Sequence, residues 1–408
     1  MTGTLPTEPY PSLAYAENPY NYYDALRARG GVYRVPETGD FLVASWKDIN
    51  YITRHPEIFS SRLANRIASK TEHPDRNAAD PTDSSVVFSD APDHDLKRRI
   101  ISPALMPRKV VEYEDGIRRI CDDVIDGFPD DGDMEFVSEF AKPFPIRVMM
   151  HVLDLPQEDL PKLLEWSQNH TSFAEKYLPA GAPRKCPSNG AIWDYIEAIL
   201  RDRLLNPRDD AYTQFLRDHQ ATFGQIRWPQ AIGDATLLLT GGLVTTGEML
   251  ASAMMLLMHD SAQMAAVRND LATIPNMVEE ALRLESPVQW QPRVAAVDCE
   301  LNGVEIPAGS VVLMVLGAGN RDPEHFNSPD TFDIRRANAR EHFSVSRGTH
   351  ACAGASLARL EARIAFERLI ERLSDISLSA RRDGVTRINS LHHRAPRELW
   401  LRVRRQQQ

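Results

Sequence analysis

Gly348-Thr349-His350-Ala351-Cys352-Ala353-Gly354 runs straight into a final amphipathic helix, Ser356 to Leu373, with Leu357, Leu360, Ile364, Leu369 and Leu373 spaced to face inward. A cysteine at a helix start meets the positive end of the helix dipole, which favours thiolate over thiol. Gly348 and Gly354 remove side-chain bulk beside the sulfur, so a flat cofactor can lie against the backbone. Taken alone, the loop fits three chemistries: a buried structural cysteine, a nucleophile, or the axial thiolate of a heme iron. No local signature of a cysteine protease surrounds it.

Working outward, the 408 residues show no composition shift that divides them, so one domain over 1–408 is expected. Hydrophobic residues at 42% and charged residues at 25% imply a sizeable core, and a net charge of −10 argues against a general nucleic-acid binder. The most apolar stretch, Ala235 to Thr245, is shorter than the roughly 20 residues of a membrane span. With no secretory signal at the start, a cytoplasmic protein without membrane attachment is expected. Cys121, Cys186, Cys299 and Cys352 lie too far apart in sequence for a zinc knuckle or a CxxC pair.

The fold class expected is mainly α with small β-sheets. Helical spacing covers Asn18 to Arg29, His94–Ile101, Lys109–Phe128, Pro143–Leu153, Leu160–His170, Gly190–Leu205, Trp228–Met258 and Ile274 to Leu284. Val32 to Pro36 and Asp40 to Ala44 read as a hairpin around Gly39, and Arg293 to Val315 as short strands turning at Asn302-Gly303. Arg62 to Asp90 reads as a long binding loop, and Tyr177 to Gly190 as a break between helices.

The cysteine loop resembles the heme-binding loop of the cytochrome P450 family, Phe-Gly-x-Gly-x-His-x-Cys-x-Gly. Gly348, His350, Cys352 and Gly354 match, while Val345 replaces the usual aromatic and Ser346 the usual glycine. Other motifs agree in order. Glu280 and Arg283 resemble the Glu-x-x-Arg pair, with Arg336 as the third member of its network. His94 and Arg98 resemble the His-x-x-x-Arg clamp on a heme propionate, and Arg293 and His350 resemble the other propionate partners. The resemblance runs from Asn18 to Trp400. It implies the P450 fold, with heme b between the long central helix and the cysteine loop, its iron on the Cys352 thiolate.

Thr240-Gly241-Gly242-Leu243-Val244-Thr245 resembles the oxygen-groove motif, with Thr245 as the hydroxyl that steadies bound oxygen and passes protons. Val244 stands where the family has Asp or Glu, so proton delivery is expected to be slow or substrate-dependent. Glu248, one turn on, is a partial substitute or an ordinary salt-bridged glutamate. Leu237, Thr240, Gly241, Val288, Gln289, Trp290, Gln291, Val294 and Leu391 are expected to line the substrate pocket.

The implied partners are a small, mostly apolar substrate and a ferredoxin-type electron donor with its reductase. The donor would dock on a basic patch of Lys97, Arg99, Arg108, Lys109 and Arg347. The implied activity is that of a heme-thiolate monooxygenase. The alternatives are a peroxide-dependent or oxidative-coupling enzyme on the same scaffold, or a heme-binding protein without turnover.

Overall fold

The computed structural model describes Tyr15 and residues 17–36, 39–63, 84–169, 189–381, 385–390 and 392–406. Most of the expected loop at 62–90, the break at 177–190, and Leu391 lie outside the described residues. Helices α1 (Tyr20–Ala28) and α2 (Trp46–Arg54) flank strands β1 (Val32–Arg34) and β2 (Phe41–Val43), followed by β3 (Phe59–Ser60). Then come α3 (Asp93–Ile101), α4 (Glu114–Ile125), β4 (Asp131–Glu135), α5 (Pro143–Val152), α6 (Leu160–Asn169), α7 (Asn189–Leu205) and α8 (Ala211–Phe223). The central path is α9 (Trp228–Leu243) and α10 (Thr245–His259), followed by α11 (Ser261–Asn269) and α12 (Ile274–Leu284). Strands β5 (Gln291–Ala295), β6 (Cys299–Leu301), β7 (Val304–Ile306) and β8 (Val311–Met314) precede α13 (Ala355–Arg372), and β9 (Leu373–Leu378) and β10 (Trp400–Arg405) close the chain.

The strands form a five-stranded sheet in the order β1-β2-β8-β5-β3, a three-stranded sheet β4-β10-β9, and the hairpin β6-β7. Among the described residues only β2 and β8 pair in parallel. The largest apolar core lies among the helices, and two smaller ones cover the faces of the five-stranded sheet.

The long helix expected at Trp228–Met258 is interrupted at Val244 (φ −115°, ψ −56°), which caps α9 and opens α10. Trp228 to His259 is long and apolar enough to cross a membrane by length and composition. However, 61% of its most apolar window is buried, and a helix covered on several sides is apolar on several sides. Gly247 allows a close contact, since a Cβ there would stand 2.5 Å from the Ala141 carbonyl oxygen.

Near α12, Glu280 and Arg283 are fully buried and bond twice, at 2.7 and 2.8 Å, and Arg336 bonds the same carboxylate at 2.9 and 3.1 Å. Arg283 also donates to the carbonyls of Asn320, Pro329 and Thr331, which fixes the irregular stretch before the cysteine loop. On the next residue of α12, Glu279 accepts from His342 and Arg359, joining α12 to α13. Burial raises the Glu279 acid, but these partners outweigh it and bring it down to about 2.

Candidate active site

The cysteine loop is set by backbone bonds and one obligatory glycine. Cys352 N–H donates to the Val345 carbonyl at 2.8 Å, and Ala351 N–H to Gly348 at 3.1 Å. Gly348 has φ +66°, and a Cβ there would stand 2.1 Å from the Thr53 carbonyl oxygen. Gly348 thus shapes the loop without lining the cavity, whereas Gly354 lines it. The Cys352 side chain is accessible and yet surrounded by protein, because it opens onto an internal cavity of about 310 Å³.

Burial raises the Cys352 thiol above its ordinary value, while the Gly354 and Ala355 amides, Arg98 and Arg359 pull it down. A metal cation bonded to the sulfur would favour the thiolate, since coordination removes the thiol proton.

One corner of the cavity is basic. His94, Arg98, Arg293 and His350 all line it, with the His94 and His350 rings 4.4 Å apart. Arg98 donates to the Ala351 carbonyl at 2.8 Å and Arg293 to the Pro292 carbonyl at 2.7 Å. Among the described residues neither forms an ion pair. Burial, opposed by Asp90, brings Arg293 down to about 10. Burial and then the charges of Arg293, His94 and Arg98 bring His350 down to about 3. The buried Arg293 and the half-buried Arg98, neither in an ion pair among the described residues, make a site for an acidic ligand group. A single open thiol, a slot between helices and this corner fit a heme with its two carboxylates.

Across the cavity lies the helix break. Gly241, Gly242, Thr245 and Thr246 line it, and Thr245 Oγ1 donates to the Gly241 carbonyl at 3.0 Å. A Cβ at Gly241 would meet nothing within 4 Å, so this turn is open to a small ligand. At Gly242 a Cβ would stand 2.5 Å from Met149 Sδ, so that glycine serves packing.

With this geometry in place, comparison with known proteins gives one answer. The family model described as Cytochrome P450 matches residues 232–383. The chain is 30% identical over 379 residues to the Biotin biosynthesis cytochrome P450 of Bacillus subtilis (strain 168), across 90% of this chain and 92% of that protein. This chain belongs to the cytochrome P450 family. It is also 30% identical to Cyclomarin C epoxidase CymV of Salinispora arenicola (strain CNS-205), across 91% of this chain and 93% of that one. Cytochrome P450 CYP109Q5 from Chondromyces apiculatus superposes with a TM-score of 0.85 at 30% identity, covering 97% of each chain. The fold is the cytochrome P450 fold, and the protein is an oxidoreductase of the monooxygenase type. The family's cofactor is heme on a cysteine thiolate.

Several residues picked for this P450 pocket sit elsewhere. Leu237, Gly241 and Val288 line the cavity, but Thr240, Gln289, Trp290 and Val294 do not. The reason is the two-residue period of β5, which turns Gln291 and Arg293 to the cavity and Val294 away. Trp290 is buried in the core under the sheet, beside His392. Gln289 is 3% exposed and bonds the Tyr23 hydroxyl and the Ser286 carbonyl. Thr240 returns its hydroxyl to the Thr236 carbonyl, as helical threonines do. Glu248 lies off the cavity and pairs with His393 at 2.9 Å. Lys97 leaves the expected basic patch, being buried against Asp93 and Ser89.

Glu361 was not picked from sequence. It lines the cavity from α13, is 1% exposed, and its Oε2 has no hydrogen-bond partner among the described residues. Burial alone raises its acid well above the ordinary carboxylate value. Its spacing, four residues after Leu357 and three before Ile364, sets it on the inward stripe of α13, a signal the sequence reading did not use.

Ser346, in the place of the motif's glycine, has φ +54°. A non-glycine residue in this region costs roughly 1–2 kcal/mol. Ser346→Gly is expected to stabilise the protein by about 1 kcal/mol in urea unfolding, less than the full strain because glycine also frees the unfolded chain. A loss of stability would count against the strain.

Proposed function

We propose that this cytochrome P450 inserts oxygen into a small, mostly apolar organic molecule, using O2 and electrons from a ferredoxin-type donor with its reductase. Cys352 is its iron ligand, and heme b its cofactor. His94, Arg98, Arg293 and His350 hold the cofactor's carboxylates. The observation that carries the reading is that the Cys352 thiol, the basic corner and the open turn at Gly241 and Thr245 share one cavity. Bound there, heme supplies oxygen and one-electron chemistry that no side chain can.

The chain's own residues orient and protonate. Val86, Leu238, Met249, Val288 and Leu316 give the substrate apolar walls, and Gln291 gives it a polar contact. The Thr245 hydroxyl spends its proton on Gly241, leaving its lone pairs to accept from a water or ligand at the open turn. Glu361, its acid raised by burial, lines the same cavity on a helix that packs against α10. We assign the proton supply to Glu361, in the role that Val244 leaves vacant and that Glu248, paired with His393, does not take. Glu361→Gln is expected to divert most consumed electrons from product to peroxide and to remove an infrared carboxylic-acid band present at pH 7. Unchanged coupling with an unchanged band would remove Glu361 from the scheme.

The test of the reading is turnover with isotopically labelled O2 and a surrogate ferredoxin with its reductase, across terpenoids, steroids, aromatics and cyclic peptides. Label in the product supports it, whereas label appearing only in water or peroxide with every class contradicts it. Val244 favours a second reading, a peroxide-dependent or oxidative-coupling enzyme, because valine relays no proton. Peroxide-supported turnover without a reductase would favour that reading. On the first reading, Val244→Asp raises the yield of product per electron several-fold. Equal coupling in the variant and the native protein would count against the proton gap.

A cytoplasmic setting is proposed for the protein. Arg99, Arg108 and Arg347 remain as the basic contacts for the electron donor, with Lys109 shared with Glu112.

A further inference from the structure

Glu248 and His393 form an ion pair whose side chains are 11% and 12% exposed, shielded enough for the charges to be poorly screened. Glu248 stands in the first turn of α10, three residues after Thr245, and its N–H donates to the carbonyl of Val244 at the helix break at 3.0 Å. His393 belongs to a different part of the molecule. It is the antiparallel bridge partner of Val288. Its neighbours bolt the same segment down: Gln289 N–H donates to the His392 carbonyl at 2.8 Å, and Arg394 N–H to the Pro287 carbonyl at 2.9 Å. Pro287 and Val288 are cavity wall. One charged contact therefore joins the wall to the half-helix that begins at Thr245.

We infer that His393 is a positioning residue for the oxygen-side turn: through Glu248 it ties the wall at Pro287–Val288 to the α10 start, so that movement of the wall is felt at Thr245. The inference rests on the P450 reading above for its purpose, but not for its test. The link is specific to the pair. Arg394 turns instead to Glu285 and the Tyr20 hydroxyl, and the His392 ring stands perpendicular to that of His393 at 4.7 Å. Burial lowers the His393 imidazole, yet the charge and hydrogen bond of Glu248 outweigh it and leave it raised. The clamp is therefore fully formed below the ordinary histidine value and is lost as pH rises through the raised one.

The test is amide hydrogen exchange of the full-length protein, with and without added heme, across pH, corrected for the intrinsic chemical rate. In the native protein, protection at Thr245–Met249 is expected to fall as pH rises past the His393 value. In His393→Gln and in Glu248→Gln it is lower by about tenfold below that value, the factor of one ion pair of about 1.4 kcal/mol, and matches the native protein above it. The double variant adds nothing further, and Leu250–Leu257 keep their protection. His393→Lys, a cation that does not titrate in this range, keeps protection at high pH. Unchanged protection in His393→Gln, or additive single effects, would overturn the inference. Failure of heme to bind would instead defeat the P450 reading and leave this readout intact.

Discussion

Cys352→Ser is expected to fold, and to lose oxygen transfer by at least about a thousandfold, ~4 kcal/mol of barrier. The loop is held by the Cys352 amide on Val345 and by the contact of Gly348 with Thr53, neither of which uses the sulfur. The backbone therefore survives the change, and circular dichroism should match the native protein. What is lost is the thiolate, since a serine hydroxyl keeps its proton far above neutral pH and donates little electron density to iron. Heme retained by the basic corner alone would show a changed spectrum and weaker binding. Turnover within tenfold of native would mean that the cysteine is a structural residue beside the true site.

Glu280→Ala is expected to cost 3–5 kcal/mol of stability, the usual penalty for breaking a buried ion pair from one side. Two guanidiniums, those of Arg283 and Arg336, lose their carboxylate in a place where water does not replace it. The carbonyls of Asn320, Pro329 and Thr331 that Arg283 organises lie upstream of the cysteine loop, so heme affinity should fall along with stability. Urea unfolding measures the first effect and heme titration the second. A cost below about 1 kcal/mol would show that the site relaxes enough to hydrate both arginines.

The sequence made the site legible where geometry follows from spacing within one element. His94 and Arg98, four apart on α3, and Glu280 and Arg283, three apart on α12, meet as expected. It failed where a neighbouring chain decides. β4 reads Asp-Gly-Asp-Met-Glu, with no strand pattern, and exists because β10 pairs with it. The pocket errors have separate causes: Trp290 precedes β5 and enters the core under the sheet, while Val294 lies on the face of β5 opposite to Gln291 and Arg293, which line the cavity. Three helices, α2, α8 and α11, were missed for a different reason, α2 despite a Ser45 cap accepting from Asp48 N–H. The α8 helix has its signals in plain view, an Asp210 side chain accepting from Thr213 N–H and Gly224 in the left-handed region at its end. The α11 helix likewise has Asp260 capping its first turn. Lys97 carries the general lesson about charge, since composition counts a basic residue and only packing shows that it is buried against Asp93.

The most direct test of the central claim is the absorption spectrum of the reduced, carbon-monoxide-bound protein, native and Cys352→Ser side by side. The account predicts, for the native protein, the long-wavelength Soret band that thiolate ligation gives, and its absence from the variant. A native band at the position typical of histidine-ligated heme, or the same band in both proteins, would contradict Cys352 as the ligand.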